Sequence, residues 1–323
     1  MIIVTGGAGF IGSVFVAKLN SEGRDDVVIV DDLGSSGKWE NLVKRKYVDY
    51  IHKDAFLEMV RANEVPFGVD AVVHLGACSA TTERDAGYLM ENNFHYSSIL
   101  ADWALERGAR LVYASSAATY GDGTQGFSDS DDATRTLRPI NMYGYSKHLF
   151  DLKMLREKKM PQIAGVKFFN VFGPNEYHKG DMTSVIFKAF HQIRETGRVR
   201  LFKSYKPEYP DGGQMRDFVY VRDSVEVLWW LLMHPDANGI FNLGTAKART
   251  WNDLAAAVFA AMGVPAAIDY IQMPEGLQRQ YQYFTEATID KLRGCGCPTP
   301  FRPLEEAVDD YVKNYLLRGD PYL

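Results

Sequence analysis

The chain has 323 residues, enough to bury a large core in one elaborate domain or in two lobes. Lys and Arg number 36 against 41 Asp and Glu, a net charge of −5. That balance gives no general pull toward nucleic acid or an anionic membrane, so any phosphorylated ligand must be met by a local cluster.

No apolar run approaches the ~20 residues of a membrane span. The most apolar stretch, Val225 to Met233 with Trp229 and Trp230, reads as a buried helix. The chain starts inside its first strand, which leaves no room for a signal peptide. Three cysteines, Cys78, Cys295 and Cys297, are too few for a disulfide framework and fit a reducing, cytoplasmic setting. Cys295-Gly296-Cys297 has no second Cys/His pair, so no metal site is expected.

Met1 to Val4 is a short apolar run that feeds Thr5-Gly6-Gly7-Ala8-Gly9-Phe10-Ile11-Gly12 and then an amphipathic stretch, Ser13 to Glu22. This is strand, turn, helix. Glycines at 6, 9 and 12 allow a tight bend and close approach of a ligand, and the free N–H groups of the following helix suit a pyrophosphate. The second strand, Val27 to Val30, ends at Asp31-Asp32. An acidic residue ~20 positions past such a turn holds ribose hydroxyls. Lys38 and Lys53 follow, each read alone as a surface lysine, and Lys44-Arg45-Lys46 reads as a solvated face.

Ala71 to Leu75 is a buried strand leading into Gly76-Ala77-Cys78-Ser79, small residues that let a cofactor lie close. His74 at its end reads as structural. A long helix is predicted over Glu83 to Arg107, with Asn92 pointing inward. Arg110 to Ser116 is the next strand, and Asp122 to Arg138 reads as a surface loop. Asn141 opens a helix running to about Lys158. Strands alternate with helices through about residue 170, which predicts a doubly wound parallel α/β sheet.

Beyond that point lie a strand at Ile163 to Phe169, a loop carrying Tyr177 to Asp181, and a helix from about Met182. Short strands follow near Leu201, Arg216 and Ile240, and a last helix starts at Pro303. The expectation is a dinucleotide-binding domain over 1–170 and a smaller mixed α/β substrate lobe over 171–323, some of whose segments return to the first domain.

Tyr143 and Lys147 are four apart on a predicted helix and share a face. An ammonium beside a phenol stabilises phenolate and lowers its pKa from ~10. Such a tyrosine can take a proton from an alcohol while hydride leaves. Ser116, at a strand's carboxyl end, can hold the same oxygen. Tyr145 has no lysine at this spacing.

The glycine turn, Ser116 and Tyr143-x-x-x-Lys147 together resemble the extended short-chain dehydrogenase/reductase superfamily, whose fold is Rossmann-type. Gly76-Ala77-Cys78-Ser79, Thr81-Thr82-Glu83, Tyr113 to Gly121 and His178-Lys179-Gly180 narrow the resemblance to its ADP-heptose 6-epimerases, nearly end to end. The resemblance implies epimerisation at C6 of ADP-D-glycero-β-D-manno-heptose, for lipopolysaccharide core synthesis. It implies transient oxidation to a ketone by tightly bound NADP, with hydride returned to the opposite face.

It further implies two bases, Tyr143 and Lys179, with Lys147 tuning the tyrosine and Ser116 placing the substrate oxygen. Implied cofactor contacts are Gly6, Gly9, Phe10, Ile11, Gly12, Asp31, Asp32, Lys38, Lys53, Leu75, Gly76, Ala77, Cys78, Ser79, Asn92, Lys147, Val171 and Lys179. Implied substrate contacts are Ser116, Asn170, Asp181, Lys188, Phe202, Ser204, Arg216 and Tyr281, and the implied assembly is a homo-oligomer, a pentamer. Asp181, Lys188 and Lys203 depart from the residue types usual there, and Ser204 to Gln214 is longer than in shorter members.

Asp31 read alone indicates NAD, because a carboxylate repels a 2′-phosphate. Lys38 and Lys53 can offset it, and NADP is the expectation, with NAD the alternative. A dehydratase carries an acidic pair where Ala117-Ala118 stands here. That dehydratase, another sugar-nucleotide epimerase and a non-catalytic dinucleotide sensor are the rival readings.

Overall fold

The computed structural model describes residues 1–278 and 281–323. Twelve strands run in chain order: β1 Ile2–Thr5, β2 Val27–Asp31, β3 Asp49–His52, β4 Ala71–His74, β5 Arg110–Ser116, β6 Ile163–Phe168, β7 Asn170–Phe172, β8 Val199–Phe202, β9 Met215–Tyr220, β10 Gly239–Leu243, β11 Ala248–Thr250 and β12 Ile268–Ile271. Seven form a wholly parallel sheet in the order β10-β6-β5-β4-β1-β2-β3. This is the doubly wound arrangement expected, with the strand order reversing between β1 and β4.

Period-two alternation explains why the sheet needs cover on both faces. Ile2, Val4, Val27, Ile29, Ala71 and Val73 enter one core. Their neighbours Ile3, Val28, Val30 and Val72 enter the other. Helix Phe10–Ser21 lies on the first face against helix Val221–Met233, where Lys18 pairs with Glu226 at 2.7 Å. Helix Tyr96–Glu106 covers the second.

Two small sheets complete the molecule. One pairs β11 antiparallel and β7 parallel with β9; the other pairs β12 with β8.

Several boundaries differ from expectation. The first helix begins at Phe10, directly on the turn, because Gly9 already serves as its N-cap. The helix expected from Glu83 begins at Ala86, capped by Asp85, and passes through a π turn at Met90–His95. The helix expected from Met182 begins at Val185, because Ser184 caps it. Pro303 is an N-cap and not the first helical residue.

The run Lys44-Arg45-Lys46 is only partly a solvated face. Arg45 is half-buried and donates to the carbonyl of Leu323, and Lys44 pairs with Asp320 at 2.7 Å. No helix among the described residues is long and apolar enough to cross a membrane.

Candidate active site

The glycine turn has little steric slack. Gly6 has φ +67°, and a Cβ there would meet the backbone of Gly76 at 2.7 Å; one at Gly12 would lie 2.0 Å from the Gly6 carbonyl oxygen. The backbone at the switch point is therefore bare, with the N-terminus of helix Phe10–Ser21 open beside it. A buried network fixes the opposing loop. The Thr5 hydroxyl meets His74 Nδ1 at 2.6 Å and accepts from the Gly76 amide at 3.1 Å; His74 Nε2 meets the Ser97 hydroxyl at 2.8 Å. Burial holds the His74 pKa down at about 3, so it is a neutral structural histidine.

Asn93, not Asn92, is the asparagine that points inward. It is buried, and its side chain bonds the Cys78 amide at 2.9 Å, the Cys78 carbonyl at 3.0 Å and the Ser146 hydroxyl at 3.1 Å. Asn92 is half-buried and donates to Asn93 at 3.1 Å. The π turn shifts the helical register that simple spacing assumes.

A cleft of about 470 Å³ opens here. Its wall includes Gly6, Gly9, Phe10, Ile11, Gly12, Asp31, Lys38, Leu75, Gly76, Ala77, Ser79, Ser116, Tyr143, Lys147, Asn170, Val171 and Lys179. A smaller adjoining pocket is lined by Asp31, Asp32, Lys38, Lys53, Cys78 and Asn92, with Tyr88 and Tyr96. All the expected dinucleotide contacts thus border one continuous groove at the carboxyl ends of the strands.

Asp31 is buried. Its Oδ2 accepts from the Ala8 amide at 2.8 Å; its Oδ1 accepts from the Asp32 amide at 2.7 Å and from the Lys38 ammonium at 3.0 Å. The carboxylate therefore braces the glycine turn and is neutralised by Lys38. Lys53 pairs with Asp54 at 2.8 Å.

Ser116, Tyr143 and Lys147 meet at one wall. The Ser116 hydroxyl caps the turn after β5 through the Ala118 amide at 3.1 Å and hydrogen-bonds the Tyr143 phenol. Lys147 is buried and donates to the Ala114 carbonyl at 3.0 Å. Burial draws its pKa down to about 8, against the opposing pull of Asp151.

The Tyr143 phenol does not follow expectation. Burial raises its pKa, and the hydrogen bond from Ser116 only partly offsets this. The ammonium of Lys147 is directed at a carbonyl, so desolvation outweighs it.

Lys179 reaches the same cleft from a 3₁₀ turn, Tyr177–Met182, with Nζ 5.0 Å from the Phe10 ring centroid. Burial lowers its pKa; Glu176 opposes this and Lys188 adds to it. Beside it, His178 Nδ1 accepts from the Asn41 side-chain amide at 3.2 Å, and burial holds its pKa down at about 4.

Six expected substrate contacts, Asp181, Lys188, Phe202, Ser204, Arg216 and Tyr281, are not part of the cleft wall. Local bonds hold several of them. Lys188 donates to the Asp181 carbonyl at 2.6 Å, and the Ser204 hydroxyl donates to the Lys206 carbonyl at 2.9 Å. Arg216 is buried between the Trp251 and Tyr281 rings, 5.7 and 5.3 Å from their centroids, and donates to the Met215 and Gln282 carbonyls.

Trp251 links that cluster to the cleft. It lines the wall and donates to the Tyr281 hydroxyl at 2.9 Å. Phe218 and Trp251 line the cleft without having been singled out from sequence, and His178, quoted only within the His178-Lys179-Gly180 motif, lines it too. Only His178 had a signal, its place beside Lys179.

A bare glycine turn at the switch point of a parallel sheet, with Ser, Tyr and Lys gathered at strand ends beside it, defines a dinucleotide-dependent enzyme of the short-chain reductase type. The chain belongs to the NAD dependent epimerase/dehydratase family, whose model matches residues 2–244. It is 62% identical over 323 residues, all of each chain, to a Nitratidesulfovibrio vulgaris (strain DP4) protein named ADP-L-glycero-D-manno-heptose-6-epimerase.

Among solved structures it is similar to the Helicobacter pylori ADP-L-glycero-D-manno-heptose-6-epimerase, with TM-score 0.81 and 26% identity over 97% of this chain and 95% of that one. It is also similar to Thermus thermophilus UDP-glucose 4-epimerase in complex with NAD, with TM-score 0.76 and 25% identity over 97% and 99%. The residues of the groove fit the nicotinamide dinucleotide that this family uses: the turn carries no side chain at Gly6, Gly9 or Gly12 beside the N-terminus of helix Phe10–Ser21, and Lys38 and Lys53 line the same groove.

Proposed function

We propose that the protein epimerises C6 of ADP-D-glycero-β-D-manno-heptose to the L-glycero form, with NADP retained in the groove. The carrying observation is that two groups fit for proton transfer, Tyr143 and Lys179, reach one cleft from separate elements beside the glycine turn. Inverting a carbinol centre requires proton transfer on each face of the intermediate ketone, which one base serves poorly. The names of the relatives support the choice of sugar and nucleotide.

The dinucleotide, when bound, supplies the hydride acceptor and donor. The rest falls to side chains of this chain. Ser116 holds the reacting oxygen in line with the phenol. Burial leaves Tyr143 a neutral phenol, ready to give a proton, and depresses Lys179 toward the free amine, ready to take one. Lys179 takes the hydroxyl proton in the oxidation half and Tyr143 gives one to the ketone oxygen in the reduction half, so a proton passes from the Lys179 ammonium to the Tyr143 phenolate, directly or through solvent, before the next turnover. Arg216 meets the substrate diphosphate once the Trp251–Tyr281 cluster rearranges.

Lys38 already neutralises Asp31, which favours a 2′-phosphate beside the two lysines. The setting is the cytoplasm, the product serves lipopolysaccharide core assembly, and the protein works as a homo-oligomer, a pentamer.

Incubating purified protein and ADP-D-glycero-β-D-manno-heptose with NADP, and separately with NAD, tests the reading. It predicts conversion to the L-glycero epimer and tighter binding of NADP. No turnover of this sugar nucleotide in either mixture would refute the substrate, and clearly tighter NAD binding would refute the cofactor.

A further inference from the structure

Glu176 is a fully buried carboxylate that the reaction as described does not use. Burial raises its pKa, and hydrogen-bond donors and the Lys179 ammonium act against this in favour of the anion. Oε2 accepts from the Ser184 amide at 2.5 Å; Oε1 accepts from the Ser184 hydroxyl at 2.7 Å, from the Tyr311 hydroxyl at 3.0 Å and, at a longer 3.5 Å, from the Gly173 amide. Ser184 is also the N-cap of helix Val185–Thr196, so the carboxylate sits where the helix dipole favours negative charge.

These bonds close the segment from Gly173 to Ser184 into a loop and pin it to helix Leu304–Tyr311. Lys179 rides on that loop, its amide donating to the Glu176 carbonyl at 3.1 Å.

We propose that Glu176 is the positioning residue for Lys179: its buried carboxylate locks the Gly173–Ser184 loop so that the ammonium lies against Phe10 in the cleft, and it supplies the compensating charge there. The inference rests on the reading of Lys179 as a base. Three groups besides Glu176 bear on the lysine's charge. Lys188, from helix Val185–Thr196, opposes protonation, and so does neighbouring His178 when charged; Phe10, from the first helix, presents only a ring face.

Tyr177 and Tyr311 face Glu176 and stay neutral, burial raising both phenols. Glu176 is therefore the anion that favours a proton on Lys179. Removing its charge lowers the pH at which the amine becomes free.

Three variants of the full chain test this: Lys179→Met, Glu176→Gln and Tyr311→Phe, the last removing one donor while leaving the loop's own closure intact. Each is assayed for bound NADP, for kcat and KM, and for the pH dependence of kcat. Glu176→Gln is expected to keep cofactor affinity, lose roughly ten- to a hundredfold in kcat with KM little changed, and move the acid limb of kcat down by about one pH unit. Tyr311→Phe is expected to move the same limb the same way by less, and it decides the matter if Glu176→Gln does not fold.

A Lys179→Met protein of full activity would overturn the reading of Lys179. An inactive Lys179→Met together with native kcat and pH limb in the folded carboxylate and tyrosine variants would overturn the role of Glu176 alone. A loss of kcat without movement of the limb would also overturn it, since a purely structural brace predicts that result.

Discussion

At position 12 a single added methyl would sit 2.0 Å from the Gly6 carbonyl oxygen, so the turn must open to admit it. Lys179 has the opposite character: its ammonium rests on the Phe10 ring face in the cleft, a contact the fold does not depend on as it does on the bare turn. Lys179→Met is therefore expected to fold and to bind NADP, while kcat falls by ~10²–10⁴; dinucleotide titration and turnover check both halves, and a variant of native kcat would contradict the assignment.

Much at this scale was legible. Gly6, Gly9, Gly12, Ser116, Tyr143 and Lys147 carry their chemistry in residue type and spacing. The charge state of Tyr143 was not legible, because spacing places Lys147 beside the phenol but cannot show that its ammonium bonds the Ala114 carbonyl. Nor could a sequence show that Arg216 is held by main-chain carbonyls behind Trp251.

Strand β5, strand β6 and the helix Met142–Arg156 that carries Tyr143 and Lys147 are joined by one buried ion pair. Lys167 donates to Asp151 at 3.0 Å and to the Thr119 hydroxyl at 2.6 Å; Asp151 also accepts from Tyr113 at 2.9 Å and Ser115 at 2.7 Å. Asp151 lies one turn beyond Lys147, and Ser115 precedes Ser116. The pair thus fixes the distance between the helix that holds Tyr143 and Lys147 and the strand end that holds Ser116.

Removing one partner leaves an uncompensated buried charge, so Asp151→Ala is expected to cost about 3–5 kcal/mol. Urea unfolding measures this, and a loss below about 1 kcal/mol would show that the site relaxes. Elements with strong apolar runs were legible. Strand β3, Asp-Tyr-Ile-His, was not, because it is an edge strand with no buried residue and carries no alternation signal. The π turn at Met90–His95 was equally hidden, and with it the buried place of Asn93 behind the Cys78 loop, while Asn92 lines the pocket.

Across the whole molecule, buried neutral histidines link stability to pH. The folded pKa of His74 is about 3 against 6.5 for the free group, and that of His178 is about 4. The unfolded chain binds protons that the folded chain refuses, so this stabilisation is complete above about pH 6.5 and is lost as pH falls toward the folded values. The melting temperature is expected to fall between about pH 6 and pH 4, and less steeply in His74→Gln. Equal slopes would place the acid sensitivity elsewhere.

The parallel doubly wound sheet, with its site at the strands' carboxyl ends, follows from the alternation of strands and helices in the sequence, whereas the strand order is seen only in the structure. The docking of Arg45 on the carbonyl of Leu323 does not, since it depends on a contact between distant segments. In the proposed cycle hydride leaves C6 and returns to the same carbon within one bound cofactor. Epimerisation of ADP-D-glycero-β-D-manno-heptose deuterated at C6 tests it directly: L-glycero product is expected with the deuterium still on C6, and product that has exchanged its label with solvent would contradict it.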